Sequence, residues 1–214
     1  MTRVLLVDDD PLVRSGLRVL LGGSPEIEIV GEAEDGDEVV AAVARLRPAV
    51  VLMDLRMRRT GGVRATELVR ALPAPPAVLV LTTFDTDEDV LGALHAGAAG
   101  YLLKDTPPED LLRAVRTVAA GDAILSPAVT RTVLAQLGDR ARPEVAAQLE
   151  RLSAGELRVA RAVARGLSNA EIAAELHLSP ATVKAYVSRA LTALDLTNRV
   201  QLALLVVEAG LTAR

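Results

Sequence analysis

The stretch Val4-Leu5-Leu6-Val7-Asp8-Asp9-Asp10 decides the fold of this chain. Its apolar run is typical of a strand covered on both faces, and the acids follow where that strand must end. Further apolar runs occupy Ile27–Val30, Val50–Met53, Val78–Leu81 and Gly100–Leu103. Helix-period segments alternate with the runs, at Leu12–Leu21, Glu38–Leu46, Val63–Leu72, Asp87–Ala96 and Pro107–Ala119. Because parallel neighbours need crossover helices, this alternation predicts an α/β doubly wound parallel sheet with five strands and five helices.

From Leu152 onward the pattern becomes all-helical. Helix-period segments lie at Ala154–Arg165, Asn169–Leu176, Pro180–Leu194 and Val200–Ala209. Ser179 before Pro180 matches a helix N-cap with proline in the first turn, and Gly166 stands where a helix-terminating glycine would. The short connection Leu176-His177-Leu178-Ser179 predicts a helix-turn-helix within an all-α, four-helix domain.

Two weaker features separate these patterns. A weak helical segment covers Ala128–Leu137, and the glycine, proline and charges of Gly138–Pro143 are typical of a linker. We therefore predict a first domain at residues 1–121, a helical linker at 122–149 and a second domain at 150–214.

Composition limits the class of protein. The aromatic residues are only Phe84, Tyr101 and Tyr186, so a chain that is 50% hydrophobic must build its core from Ala, Val, Leu and Ile. Such a core favours helices and buried parallel strands over a β-sandwich. The absence of cysteine excludes disulfides and removes the usual ligand of structural zinc. No apolar run reaches the roughly 18 residues of a membrane span, and no signal peptide follows Met1, so we expect a cytoplasmic protein without membrane contact.

Charge is distributed unevenly along the chain. Residues 1–150 carry 16 basic and 23 acidic residues, whereas residues 151–214 carry 8 and 5. The mildly basic second part is therefore the candidate for binding a polyanion such as nucleic acid. Of the 24 basic residues only Lys104 and Lys184 are lysines.

Charged and hydroxyl side chains stand at the carboxyl ends of the predicted strands. The first strand is followed by Asp8, Asp9 and Asp10, the third by Asp54 and the fifth by Lys104, and the fourth ends in Thr82 and Thr83. In an open parallel sheet the functional crevice lies at this edge. Converging carboxylates repel one another unless a cation neutralises them, and a site built from oxygen ligands suits Mg²⁺. A lysine and a hydroxyl beside that ion would hold a phosphoryl group, for which Asp54 is the natural nucleophile.

Each of these residues also has a structural interpretation. Asp10 before Pro11 could simply cap the following helix, and a single threonine or lysine at a strand end is often structural or solvated. The functional interpretation depends on all of them occurring together.

Together the motifs resemble the receiver domain of two-component response regulators. The matching segments are residues 4–10, Leu52–Met57, Leu81–Thr83 and Gly97–Asp105. The resemblance implies a flavodoxin-like fold in which Asp54 accepts a phosphoryl group from a sensor histidine kinase. It implies ligands for Mg²⁺ in Asp8, Asp9, Asp54 and the Arg56 carbonyl, phosphoryl-binding residues in Thr82 and Lys104, and a switch in which the rotamer of Tyr101 reports the state of Thr82.

One segment departs from the receiver pattern. The family usually places Pro-Gly after the Met57 position and reaches a later Asp-Gly, whereas this chain has Arg58-Arg59-Thr60-Gly61-Gly62. Two arginines beside the pocket could alter access or dephosphorylation, and the core site stays intact.

Residues 152–207 resemble the LuxR-type helix-turn-helix, the output module of NarL/FixJ-type regulators. The match rests on Leu152-Ser153, Glu156, Gly166–Ala173, Leu178-Ser179, Thr182–Lys184, Val187 and Leu191. Apolar residues at helical spacing predict the core of the helix pair: Ile172, Ala173, Leu176, Leu178, Val183, Val187 and Leu191. Tyr186 stands where the family commonly has histidine.

The opposite face of the helix that starts at Pro180 is the candidate DNA-binding surface. For base contacts we predict Lys184, Ala185 and Ser188, because lysine reaches guanine edges and alanine can pack on a thymine methyl. Nearer to phosphates we predict Ser168, Asn169, Thr182 and Arg189.

A small net charge predicts that DNA binding needs two copies. With a net charge of only +3, one module neutralises few phosphates, so useful affinity for double-stranded DNA requires a homodimer on paired half-sites. The stripe formed by Leu202, Leu205, Val206 and Ala209 could supply the dimer contact or pack inside its own module.

The sequence thus predicts a transcription regulator switched by phosphorylation, and not a turnover enzyme beyond promoting its own phosphorylation and dephosphorylation at Asp54. An orphan regulator that binds DNA irrespective of phosphorylation is the main alternative. A phosphatase with an aspartyl-phosphate intermediate typically has a second acid where Arg56 stands. A flavodoxin-like cofactor binder would need a hydroxyl and glycine-rich loop after the first strand, where this chain has three acids.

Overall fold

A computed structural model describes residues 1–83, 87–122, 124–125 and 143–211. The chain divides into two compact units, Met1–Thr132 and Val133–Arg214, termed the N-terminal and C-terminal units. Among the described residues, none of the helices combines the length and the apolarity needed to cross a bilayer.

The N-terminal unit is a parallel sheet with helices. Its strands are β1 (Thr2–Val7), β2 (Ile27–Ala33), β3 (Val50–Met53), β4 (Ala77–Thr82), β5 (Gly100–Leu103) and β6 (Ile124–Leu125). Its helices are α1 (Pro11–Gly22), α2 (Val39–Leu46), α3 (Gly62–Arg70), α4 (Asp87–His95) and α5 (Pro108–Ala119), with a short 3₁₀ turn at Gly36–Glu38 before α2. The strand order β2-β1-β3-β4-β5-β6 is parallel throughout, which confirms the doubly wound fold class.

Alternating side chains of the strands fill two separate core layers. Val4 and Leu6 of β1 pack in a cluster with residues of α1 and α5, while Leu5 and Val7 pack in a second cluster with residues of α2 and α3. This alternation follows from the period-2 geometry of a strand. Both faces of the sheet are covered, as the uninterrupted apolar runs predicted.

The register of the sheet brings the polar strand ends together. Val7 of β1 is paired with Met53 of β3, so the acids that follow these two residues are neighbours. Thr82 of β4 is paired with Leu103 of β5, and the next residue, Lys104, donates its N–H to the Thr82 carbonyl at 2.8 Å.

In the C-terminal unit, the regular secondary structure of the described residues consists of helices. Its helices are α6 (Pro143–Leu149), α7 (Ala154–Ala164), α8 (Asn169–Leu176), α9 (Pro180–Ala193) and α10 (Arg199–Glu208). His177, in the left-handed conformation at φ 54°, ends α8, and the Ser179 hydroxyl accepts the Thr182 N–H at 3.0 Å to begin α9. Gly166 ends the turn after α7 at φ 81°, as predicted. The helix-turn-helix is therefore present as α8 and α9.

Two elements were not predicted from the sequence, and both lie within the predicted linker. The strand β6 adds Ile124–Leu125 to the sheet beside β5, and α6 places Val145 and Leu149 in the core with residues of α7, α9 and α10. The ends of the segment 122–149 therefore belong to the folded units. The helical segment predicted at 128–137 lies outside the described residues.

The stripe on the last helix packs inside its own unit. Leu202, Val206 and Ala209 are buried in the cluster with α6, α7 and α9, and Leu205 packs against that cluster. Of the two interpretations offered above, intramodular packing is the one observed, so this stripe is not an exposed dimer contact. The predicted core of the helix pair is also observed, with Ile172, Ala173 and Val183 buried and the remaining four residues partly buried.

Candidate functional site

Three carboxylates meet at the carboxyl ends of β1 and β3. One carboxylate oxygen from each of Asp8, Asp9 and Asp54 lies within 4.8 Å of the others. Asp54 is tied to the neighbouring strand through its N–H, which donates to the Val7 carbonyl at 2.9 Å. Asp8 and Asp54 are buried and Asp9 is half-buried, so the cluster faces solvent through Asp9.

Lys104 is the nearest cation to this cluster. Its Nζ lies 2.6 Å from Oδ2 of Asp8 and 3.4 Å from Oδ1 of Asp54. The Lys104 ammonium group and the exposed Arg58 guanidinium, 3.4 Å from Asp9, oppose three carboxylates, and burial weakens the screening that water would provide. The cluster is therefore short of positive charge.

The burial of Asp54 changes its acidity. Asp54 is 5% exposed, and burial raises the pKa of its carboxyl group, with the Asp8 carboxylate acting in the same direction and the Lys104 ammonium opposing it. Nearby, the fully buried Thr82 hydroxyl lies beside the same carboxyl group and also opposes the rise in its pKa. Hard oxygen ligands, excess negative charge and a buried hydroxyl beside the carboxylate fit an Mg²⁺ ion with a bound phosphoryl group.

A tight backbone contact places the loop after β3. A Cβ atom at Gly62 would lie 2.1 Å from the carbonyl oxygen of Asp54, so only glycine allows α3 to start this close to the site. The Gly62 N–H donates to the Leu55 carbonyl at 2.9 Å and closes the loop. Gly62 therefore fixes the backbone around Asp54.

Buried Asp35 holds the same loop from the β2 side. Its two carboxylate oxygens accept the N–H groups of Arg59 at 2.8 Å and Thr60 at 2.7 Å. Burial alone would raise the pKa of Asp35, but these backbone N–H groups outweigh it and hold the pKa below its ordinary value. Asp35 is therefore a buried, ionised anchor for the loop, and sequence reasoning missed it.

The arginines of this loop point in different directions. Arg59 pairs with Asp37 at 2.8 Å and Glu38 at 2.6 Å, away from the carboxylate cluster. Arg58 turns toward the cluster instead, with its Nε 3.4 Å from Oδ2 of Asp9. Of the two arginines, Arg58 is therefore the one that contacts a predicted metal ligand.

Arg14 on α1 is a second residue that sequence reasoning missed. Its buried guanidinium donates to the main-chain carbonyl of Asp8 at 2.6 Å and pairs with Glu32 and Glu34 at 3.0 Å each. It therefore ties the acidic end of β1 to β2. A charged residue on the apolar stripe of α1, in line with Leu17 and Leu21, was the available signal.

The other residues considered for the site in the N-terminal unit are Asp10, Tyr101 and Arg56. Asp10 caps α1, accepting the Leu12 N–H at 2.8 Å, so its structural interpretation is the one observed. Tyr101 on β5 is fully buried, and the side chain of Arg56 pairs with Asp89 at 3.4 Å.

The exposed face of α9 carries the residues predicted to read bases. Lys184, Ala185 and Ser188 are all exposed and lie within about 100° of one another around the helix axis. The opposite face buries Val183 and Ala190 in the core. The helix is therefore held by one face and presents the other to solvent, as groove binding requires.

The residues predicted near phosphates have partners within the unit. The Ser168 hydroxyl caps α8 by accepting the Glu171 N–H at 3.3 Å, and Asn169 accepts from Arg199 at 3.3 Å. The Thr182 hydroxyl lies 2.8 Å from that of Ser179. Ser168 and Thr182 stand at the N-terminal ends of α8 and α9, where backbone N–H groups can also meet a phosphate.

Comparison with known proteins matches both units. Residues 4–116 match the family described as response regulator receiver domain, and residues 150–206 match bacterial regulatory proteins of the luxR family. The nitrate/nitrite response regulator NarL of Escherichia coli K12 is 36% identical over 201 residues, which are 94% of this chain and 92% of the relative. The chain belongs to the NarL/FixJ-type response regulators.

Other similar proteins share both halves of this response regulator. The transcriptional regulatory protein YxjL of Bacillus subtilis is 38% identical over 98% of this chain and 96% of its own. The crystal structure of ChrA, a response regulator of a heme-sensing two-component system, is 36% identical and superposes with a TM-score of 0.54, covering 95% of each chain. A structure of two RcsB dimers bound to two parallel DNAs is 25% identical, with a TM-score of 0.57 and 98% coverage of each chain.

Arg58 is expected to weaken the binding of Mg²⁺ to this response regulator. The Arg58 guanidinium competes with a metal ion for the charge of the Asp9 carboxylate and repels the ion, and exposed ion pairs contribute under about 1 kcal/mol. We therefore expect Arg58→Ala to raise the Mg²⁺ affinity of the full chain about threefold at low salt, and less at high salt. Calorimetric titration with magnesium chloride measures this change.

The matched control for Arg58 is Arg64→Ala. Arg64 pairs with Glu67 on α3 at 2.7 Å, so this variant loses the same charge without touching Asp9. Equal Mg²⁺ affinities of the two variants would show that the contact with Asp9 has no effect.

Asp54→Asn is expected to stabilise the N-terminal unit at neutral pH when a chelator removes Mg²⁺. Because burial raises the pKa of Asp54 in the folded chain, stability is lost as pH rises through that pKa, and the ionised group is unfavourable above it. A neutral amide removes this destabilisation. We therefore expect the free energy of unfolding to rise by an amount on the order of 1 kcal/mol at neutral pH, and by less toward acid pH. Calorimetric unfolding across pH measures the difference. A less stable variant at pH 7 would contradict the argument.

Proposed function

We propose that this response regulator receives a phosphoryl group on Asp54 from a sensor histidine kinase and in response binds specific sites on double-stranded DNA as a homodimer to regulate transcription. The observation that carries the proposal is the convergence of Asp8, Asp9 and Asp54 with Lys104 at the ends of neighbouring strands. The luxR-type unit supplies an output that recognises DNA.

The chemistry needs one nucleophile and several groups that stabilise charge. A carboxylate oxygen of Asp54 attacks phosphorus, the bond from phosphorus to the kinase histidine breaks, and an acyl phosphate forms on Asp54. The Lys104 ammonium and the Thr82 hydroxyl bind the phosphoryl oxygens. Mg²⁺, held by Asp8, Asp9, Asp54 and the Arg56 carbonyl, would neutralise charge on the carboxylate and the incoming group.

Dephosphorylation transfers the phosphoryl group from Asp54 to water. Attack of water on phosphorus breaks the bond to Asp54 and releases inorganic phosphate. The same groups at Lys104 and Thr82 stabilise that transfer, so the receiver promotes both its own phosphorylation and its own dephosphorylation without being a turnover enzyme.

Phosphorylation is coupled to the output through Thr82. The buried Thr82 hydroxyl, which lies beside the Asp54 carboxyl group, gains a more strongly charged acceptor when a phosphoryl oxygen arrives, which favours the conformation that brings them together. Tyr101, on the adjacent strand, reports that state through its rotamer. The energy of this new hydrogen bond shifts the population toward the form that dimerises and binds DNA.

DNA recognition is assigned to α9 and to the turn before it. Lys184, Ala185 and Ser188 meet base edges, while Ser168, Asn169 and Thr182 lie nearer to phosphates. A net charge of +3 on residues 151–214 gives one copy little affinity, so two copies bind paired half-sites. The similar protein RcsB binds DNA as dimers in its structure, which supports the same arrangement.

Footprinting tests the proposal. Full-length protein, with Mg²⁺, is compared with and without a small acyl phosphate as phosphodonor, on DNA selected by the protein from a random library. We expect protection at paired half-sites to appear at lower protein concentration after phosphorylation. Equal protection in both samples would favour a regulator that binds DNA irrespective of phosphorylation.

A further inference from the structure

Glu156 joins the start of α7 to the recognition helix α9. One carboxylate oxygen accepts the N–H and the hydroxyl of Ser153 at 2.9 and 2.8 Å, and the other accepts Nε of Arg189 at 2.9 Å. The Glu156 side chain is only 13% exposed, whereas that of Arg189 is 57% exposed. The Ser153 backbone N–H, the Ser153 hydroxyl and Arg189 all lower the pKa of Glu156, so the pair is ionised at neutral pH.

Tyr186 occupies the same junction. The Arg189 guanidinium lies over the Tyr186 ring, 4.7 Å from its centre, a distance at which a cation and an aromatic face attract. A Cβ atom at Gly155 would stand 3.1 Å from the Tyr186 ring, so the ring lies close against the first turn of α7 and would have to shift slightly for a larger residue. Four residues from two helices therefore form one packed contact: Gly155, Glu156, Tyr186 and Arg189.

Arg189 lies at the edge of the base-reading face. At 3.6 residues per turn, Arg189 is rotated about 140° from Lys184, about 100° from Ser188 and about 40° from Ala185. Its charge is already met by Glu156 and by the aromatic face of Tyr186. Its Nε donates to Glu156, and this carboxylate offsets the positive charge that a DNA phosphate would meet.

We propose that Arg189 is a positioning residue that acts on DNA binding through Glu156 and Tyr186, and that it is not a phosphate contact. The junction sets the placement of α9 against α7 and thereby aims Lys184 and Ser188 at the groove. The inference rests on the proposed DNA binding by α9 and replaces the sequence-based prediction for Arg189.

Glu156→Gln separates the two roles by the sign of its effect. Glutamine retains the hydrogen bonds to Ser153 at the N-terminus of α7 but removes the charge that holds Arg189. If Arg189 positions α9, affinity for a selected DNA site falls roughly fivefold while affinity for unselected DNA is unchanged. If Arg189 were a phosphate contact, freeing it would tighten binding to both DNAs, and that result would overturn the proposal.

Arg189→Met provides a second and independent readout in the full-length chain. A lost phosphate contact reduces the slope of log affinity against log salt by about one, whereas a lost positioning contact leaves the slope unchanged. We expect an unchanged slope and a fall in site affinity similar to that of Glu156→Gln. The double variant should bind no more weakly than either single variant, because all three lose the same interaction.

Controls distinguish the possible failures. Arg151→Met removes an arginine of similar exposure that pairs with Asp195 at 3.3 Å, and it should leave the ratio of selected to unselected affinity unchanged. Circular dichroism at the assay temperature verifies that each variant is folded. If the wild type selects no DNA sequence, the proposed function fails; if it does select one but Glu156→Gln leaves site affinity unchanged or raises it, only the role of Arg189 fails.

Discussion

Asp54→Asn is expected to abolish formation of the aspartyl phosphate, lowering phosphoryl incorporation by at least roughly a hundredfold. The amide nitrogen and oxygen of asparagine are poor nucleophiles and carry no charge for a metal ion to bind. The surrounding groups stay in place, because Lys104 retains its contact with Asp8 at 2.6 Å. Intact-protein mass spectrometry after treatment with an acyl phosphate and Mg²⁺ measures the incorporated group.

The matched control for this substitution is Asp105→Asn. Asp105 is exposed and adjacent to Lys104, and it lies outside the cluster of Asp8, Asp9 and Asp54. The control should take up the phosphoryl group as the wild type does. Equal incorporation into the Asp54 variant would show that another residue is the acceptor. In footprinting, the Asp54 variant should show no response to the phosphodonor.

Lys184→Ala is expected to lower affinity for a selected DNA site by about 2 kcal/mol, roughly 30-fold. Lys184 is exposed on the face of α9 that carries Ala185 and Ser188, and a lysine there can donate to the acceptors on a guanine edge. Binding to unselected DNA should fall much less, since one of several charges is lost. Fluorescence anisotropy at fixed salt on selected and unselected duplexes measures both affinities.

Arg151→Ala again serves as the control for a lost positive charge in the same unit. It should weaken the two duplexes to a similar, small extent, because Arg151 lies outside the recognition helix. A Lys184 variant that weakens both duplexes equally would remove this residue from base recognition. An unchanged affinity for both would remove it from the DNA interface.

The polar strand ends could be predicted because they depend on topology alone. Once alternating strands and helices imply a parallel sheet, Asp8, Asp54, Thr82 and Lys104 must gather at one edge. The residues that support these strand ends could not be predicted, because their partners are remote in sequence. Arg14 meets Glu32 on a neighbouring strand and Glu34 just after it, and Asp35 meets the N–H groups of the loop after β3.

Short elements escaped prediction for a related reason. The strand β6 contains two residues, too few to show any period, and it is a strand only because β5 lies beside it. The helix α6 begins at Pro143, directly after charges and a glycine that are typical of a linker. Its buried residues Val145 and Leu149 are spaced by four, which is the helical signal that was present but too brief to decide.

The sequence by itself determined the doubly wound sheet, the helix-turn-helix and the gathering of acids with one lysine, because local periodicity and strand order fix these features. Only the tertiary structure decided what the arginines do. Arg58 faces Asp9, Arg59 faces Asp37 and Glu38, and Arg189 faces Glu156. A long charged side chain can reach in many directions from the same backbone position, so its partner depends on which remote acid the fold brings within reach.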